Sequence, residues 1–121
     1  MSLILKTIID TIVKYKNIVI ISHVNPDGDA LGSSLALYLF SKKIGVNPKV
    51  IIPNDYPSFL SWMPSIQDVI IYDRSQENAK QIMSDAELFC YLDFNTESRT
   101  GVLHNDLCHF NKTSKVLIDH H

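Results

Sequence analysis

The stretch "NIVIISHVNPDGDALGSSLALYL", residues 17–39, joins an apolar run ending at Ile21 to a helical pattern opening near Ala30. Between them lie His23, Asp27 and Asp29, spaced His-x-x-x-Asp-x-Asp. Ile18 to Ile21 is β-branched and apolar at every position, which suits a strand buried on both faces of a parallel sheet. Residues 30–43 read as a helix closed by Lys42-Lys43, cations suited to its last turn, and by Gly45, a residue able to take positive φ just beyond it. Strand, polar loop and helix in this order open an α/β pattern.

The pattern continues along the chain. Val50 to Ile52, Val69 to Tyr72, Phe89 to Leu92 and Val116 to Ile118 read as four further short strands. Helical patterns fall at 75–84 and 98–110, with a weaker one at 57–63. Alternation of this kind predicts a doubly wound, mostly parallel five-stranded sheet with helices on both faces. Ahead of it, apolar residues at 4, 5, 8, 9, 12 and 13 predict an amphipathic helix. Lys6 and Asp10 interrupt that stretch and no small-residue cleavage site follows, unlike a secretory signal.

With 121 residues, 45% hydrophobic and 20% charged, the composition is that of one globular domain. A net charge of −2 supplies no broad basic field for duplex nucleic acid, so any phosphate binding is local. Cys90 and Cys108 lack CxxC spacing and read as reduced thiols of a cytoplasmic protein. No run reaches the ~18 apolar residues of a membrane span.

In a doubly wound sheet, ligands sit beyond the carboxyl ends of the strands. His23, Asp27 and Asp29 leave the first strand, Asp93 the fourth, and Asp119, His120 and His121 the fifth. Carboxylates gathered at one edge repel unless a cation intervenes, and this donor set suits Mn²⁺, Co²⁺ or Zn²⁺. Asp27 and Asp29, two apart in an extended loop, are expected to reach different ions, with Asp93 the natural bridge at the ~3.5–4 Å separation of two-metal sites. Gly28 is expected to turn the loop, Gly32 to allow close backbone approach, and the amides of Ser33 and Ser34 to meet a phosphate. Set against this, Asp29 or Asp93 alone reads equally well as a helix N-cap. His104 and His109 read as solvated helix residues, and Trp62 and Met63 as core, with a lip over the site as the alternative.

These residues resemble the DHH phosphoesterases. The resemblance rests on His23-Val24-Asn25-Pro26-Asp27-Gly28-Asp29-Ala30-Leu31-Gly32-Ser33, on Asp93 in Leu92-Asp93-Phe94-Asn95, and on Asp119-His120-His121. It implies a pair of divalent cations, Mn²⁺ foremost, with Co²⁺ or Mg²⁺ as alternatives. His23, Asp27 and Asp93 would hold one ion and Asp29, Asp93 and His120 the other. Asp119 would orient the histidine pair, and His121 would contact the scissile phosphate or its leaving group. Arg99 and Ser33 are candidate substrate contacts, with a structural ion pair the equal reading for Arg99.

Within that family the chain looks most like bacterial enzymes that degrade very short RNAs and dephosphorylate 3′-phosphoadenosine 5′-phosphate, using a water activated by two metals. The expected partners are a short single-stranded RNA or a phosphorylated nucleotide, with no membrane and a homodimer left open. The fourth family motif and the C-terminal substrate-binding domain do not occur in these 121 residues, so the chain reads as the N-terminal part of a DHH catalytic domain, expected to be weakly active or inactive alone. Three other outcomes are weighed. An inorganic pyrophosphatase or exopolyphosphatase would use the same scaffold. A nucleotide-binding regulatory module would keep the motifs without turnover. A non-catalytic metal-binding fold would show substituted ligands, and none is seen.

Overall fold

The structure is a computed structural model that describes residues 3–92 and 114–118. Helix α1 (Leu3–Ile12) leads into strand β1 (Asn17–Ile21), followed by α2 (Gly28–Lys43), β2 (Asn47–Ile52), two 3₁₀ turns (Ser58–Leu60 and Ile66–Asp68), β3 (Ile70–Ile71), α3 (Gln76–Asp85), β4 (Leu88–Leu92) and β5 (Ser114–Ile118). All strand pairings are parallel, in the order β3-β2-β1-β4-β5. The expected α/β sheet is the observed one, and residues 98–110 lie outside the described residues.

Burial on both sides explains the apolar strands. On one face Ile18, Ile20, Val50, Ile52, Leu88, Cys90 and Leu92 pack with Leu31, Leu35 and Tyr38 of α2 and Ile12 of α1. On the other, Val19, Ile21, Ile51, Phe89 and Tyr91 pack with Ala79 and Met83 of α3. Odd and even strand positions thus feed different helical layers, as the two-residue side-chain period requires.

Two boundaries differ from expectation. β3 is only two residues long and half-buried at the sheet edge; Tyr72 still donates its N–H to Ile52 O at 2.8 Å while its side chain packs with Ala79 and Met83 of α3. The weak helix expected at 57–63 is a 3₁₀ turn over Ser58–Leu60, opened by Pro57 at its N-cap. At the end of α2, Val46 N donates to Ser41 O (3.0 Å) and Gly45 N to Lys42 O (3.2 Å), with Gly45 at φ +88°. This is a Schellman C-cap, so the predicted helix stop holds for the reason given.

The strand order fixes where a site can form. From β1 the chain winds outward through β2 to β3, then crosses back to place β4 and β5 on the other side of β1. The reversal lies between β1 and β4, and ligands of open α/β sheets bind in the crevice outside such a switch point. The loop after β1 borders that crevice.

Candidate metal and phosphate site

The loop from Ser22 to Asp27 is built by the chain's own hydrogen bonds. Ser22 N extends the ladder by donating to Ile51 O at 3.4 Å. His23 is buried, and its Nδ1 lies 2.8 Å from the Val24 carbonyl oxygen. A carbonyl only accepts, so Nδ1 carries the proton in this contact, and Nε2 is the ring nitrogen a metal would use. Metal-ligating histidines are commonly oriented through a hydrogen bond of this kind.

The turn itself sits at Asn25, whose φ of 54° is left-handed, a region asparagine tolerates better than most residues. Asn25 N donates to Asn54 Oδ1 (2.7 Å), and Asn54 Nδ2 donates back to Asn25 Oδ1 (2.7 Å). This reciprocal amide pair ties the β1 loop to the segment leaving β2. Sequence reading missed Asn54. The available signal was position, since Asn54 stands two residues past β2 as His23 stands two past β1.

Asp27 is the N-cap of α2, with φ −95° and ψ −176°, and its Oδ1 accepts from Ala30 N at 2.9 Å. Its second carboxylate oxygen makes no hydrogen bond or ion pair among the described residues. Asp29 is exposed in the first turn of the helix. The expectation of an extended loop holding both aspartates is therefore corrected: α2 begins at Gly28, two residues earlier than periodicity indicated, because the Asp27 side chain nucleates the first turn. The N-cap reading belongs to Asp27 rather than Asp29. Divergence of the pair now follows from the helix, where residues two apart do not face each other.

The glycine expectations also change. Gly28 is not at positive φ, and a Cβ there would meet only Leu60 Cδ2 at 3.8 Å; a Cβ at Gly32 would meet nothing within 4 Å. Asn25, not Gly28, supplies the special backbone. Ser33 lies more than a turn into α2, where backbone amides serve the helix's own ladder, so only its exposed hydroxyl remains for a ligand. Ser34 is buried, and its Oγ, like that of Ser22, has no hydrogen-bond partner among the described residues. Trp62 is not core but 72% exposed, whereas Met63 packs against the α2 side of the core as expected. Cys90 is a buried free thiol whose pKa burial pushes up to about 12, which removes it as a nucleophile.

Asp93, Arg99, Asp119, His120 and His121 lie outside the described residues. Among the described residues no group of three or more His, Cys, Asp or Glu side chains could hold a metal ion. The donors that are described still fit a divalent cation in chemistry: an imidazole oriented through Nδ1 and a carboxylate whose second oxygen has no partner among the described residues. Leu92 and Ile118 are register partners at the ends of β4 and β5, and the sequence continues from them into Asp93 and Asp119.

Comparison with protein families matches residues 17–121 to the DHH family, N-terminal domain. The chain belongs to the DHH family. Members of this family are phosphoesterases that generally depend on divalent metals. Among solved structures, the chain is similar to the crystal structure of an exopolyphosphatase-related protein from Bacteroides fragilis, at 40% identity and a TM-score of 0.89. The match covers 96% of this chain and 34% of that one, so the chain spans about a third of the length of its structural relative. No curated protein matches it significantly. No helix among the described residues is long and apolar enough to cross a membrane.

Proposed function

We propose that the protein to which this chain belongs hydrolyses short oligoribonucleotides or 3′-phosphoadenosine 5′-phosphate, with two divalent cations, Mn²⁺ foremost, held at the carboxyl edge of the sheet. The observation that carries the phosphoesterase reading is the β1 loop at the switch point, where buried His23 is oriented through its Nδ1 by Val24 O and Asp27 caps α2 through one oxygen only. In this reading His23, Asp27 and Asp93 would hold one cation, and Asp29, Asp93 and His120 the other. Bound cations would activate a water and offset charge on the phosphoryl oxygens. Asp119 orients the histidine pair, and His121 donates to the phosphate or its leaving group. Ser33 and Arg99 are the candidate contacts to substrate.

A second reading, exopolyphosphatase activity, is favoured by the description of the Bacteroides fragilis structure. The two are separated by offering the intact protein a diribonucleotide, 3′-phosphoadenosine 5′-phosphate and polyphosphate side by side, with Mn²⁺ and after chelation. Release of mononucleotide or AMP that chelation abolishes supports the first reading. Cleavage of polyphosphate alone assigns the second.

A further inference from the structure

The segment between β2 and β3 carries two aromatic rings that the core does not use. Phe59 is 73% exposed and Trp62 72%, while Leu60 between them is buried. Solvent exposure of two large rings so close together on a short segment is unusual for residues with no task. Their backbone explains the arrangement: Leu60 N donates to Pro57 O, Ser61 N to Ser58 O and Met63 N to Leu60 O, at 3.0–3.1 Å. The 3₁₀ turn spans Ser58–Leu60, so Phe59 stands within it and Trp62 two residues past its end.

This turn leans on the site. Leu60 Cδ2 lies 3.8 Å from where a Cβ of Gly28 would stand, between Asp27 and Asp29. The same segment is tied down at both ends, by Asn54 to Asn25 and by Asp68, whose Oδ2 accepts from Tyr38 Oη at 3.1 Å. Trp62 and Pro64 also wall an apolar recess of about 250 Å³ against Gly32, Ala36 and Leu39 on the flank of α2. The recess starts one turn along the helix from the aspartates.

We propose that Phe59 and Trp62 form a stacking lip for a nucleobase whose phosphate lies at the β1 loop, so that these rings select nucleotide substrates over base-free polyphosphate. The inference rests on the phosphoesterase reading above and specifies its substrate class. A base offers a flat apolar face to stack on rings, and every base has one, so the lip is tolerant of sequence. Three anchors hold the segment that carries the rings, which limits the ordering cost of binding. Polyphosphate has no group that gains from an apolar platform.

The test uses the intact protein with Mn²⁺ and the variants Trp62→Leu, Phe59→Leu and the double variant, assayed on a diribonucleotide and on tripolyphosphate. Because both side chains are largely exposed, the variants are expected to fold. Loss of a base-on-ring contact should raise KM for the diribonucleotide roughly 5- to 100-fold in each single variant while leaving kcat and tripolyphosphate cleavage unchanged, with Trp62→Phe restoring most of the affinity. Independently of turnover, AMP should quench the fluorescence of Trp62, the one tryptophan of the 121-residue sequence, more in the chelated wild type than in Phe59→Leu. Unchanged KM together with unchanged quenching overturns the lip alone. A double variant that alters only the sedimentation behaviour makes the rings an interface between copies and also overturns it. Wild type that cleaves only tripolyphosphate overturns the oligoribonucleotide reading and the lip with it.

Discussion

Asp27 has two tasks that one pair of substitutions can separate. Its Oδ1 satisfies Ala30 N at 2.9 Å, a helix cap, while its charge and second oxygen are what a cation would use. Asp27→Ala removes both and should cost about 1 kcal/mol, within the range of lost N-caps. Asp27→Asn keeps a carbonyl oxygen at the same place, and asparagine caps helices about as well as aspartate, so the loss there should be only a few tenths of a kcal/mol. A neutral amide is a poor partner for a divalent cation, so both variants should lose activity alike. Urea denaturation of the intact, metal-free protein gives the stability of the three forms, and Mn²⁺-supported hydrolysis gives the activity. The reasoning fails if Asp27→Asn is as unstable as Asp27→Ala, because Oδ1 would then not be acting as a cap. It fails equally if Asp27→Asn turns over normally, because the carboxylate would then not be needed for metal.

Three further outcomes follow from particular contacts. Gly45→Ala places a side chain at φ +88° with open space around it, so the cost is backbone strain alone, ~1–2 kcal/mol by denaturant unfolding, and activity per folded molecule should not change. For Cys90, burial holds the folded pKa near 12, above that of an exposed thiol; the unfolded chain therefore loses its proton first as pH rises, and stability should fall between about pH 9 and 12 in wild type and less in Cys90→Val. A thiol reagent that modifies Cys90 in the native protein at pH 8 as fast as after unfolding would contradict its burial. His121→Ala should slow catalysis while sparing Mn²⁺ binding, and loss of metal instead would make His121 a ligand.

How far the sequence carried the fold depends on which physical signal each element sends. Strands β1, β2 and β4 lie inside the sheet with their apolar residues buried on both faces, and their unbroken apolar runs showed it. β3 sits at the edge, where little burial is needed, and its four-residue apolar run yields only two paired residues. Gly45 was legible because a C-cap depends on one local residue, whereas the start of α2 was misplaced because Asp27 caps through a side chain that periodicity does not see. The placement of His23 and Asp27 in the loop after β1 was readable from their spacing past the strand end. The Asn25–Asn54 pair was not, since a hydrogen bond between residues 29 apart appears only once β1 and β2 are neighbours. Trp62 was assigned to the core on hydrophobicity alone, a guide that works one way only: apolar residues fill interiors, yet many also remain outside.

The central claim is that strand-end residues of this chain hold a pair of divalent cations. Equilibrium binding of Mn²⁺ to the intact protein, compared with Asp93→Asn, tests it most directly. Two ions per wild-type chain, with weakened uptake and lost hydrolysis in Asp93→Asn, is the predicted result. Wild type that takes up no Mn²⁺, or Asp93→Asn that binds two and hydrolyses substrate at the normal rate, would contradict it.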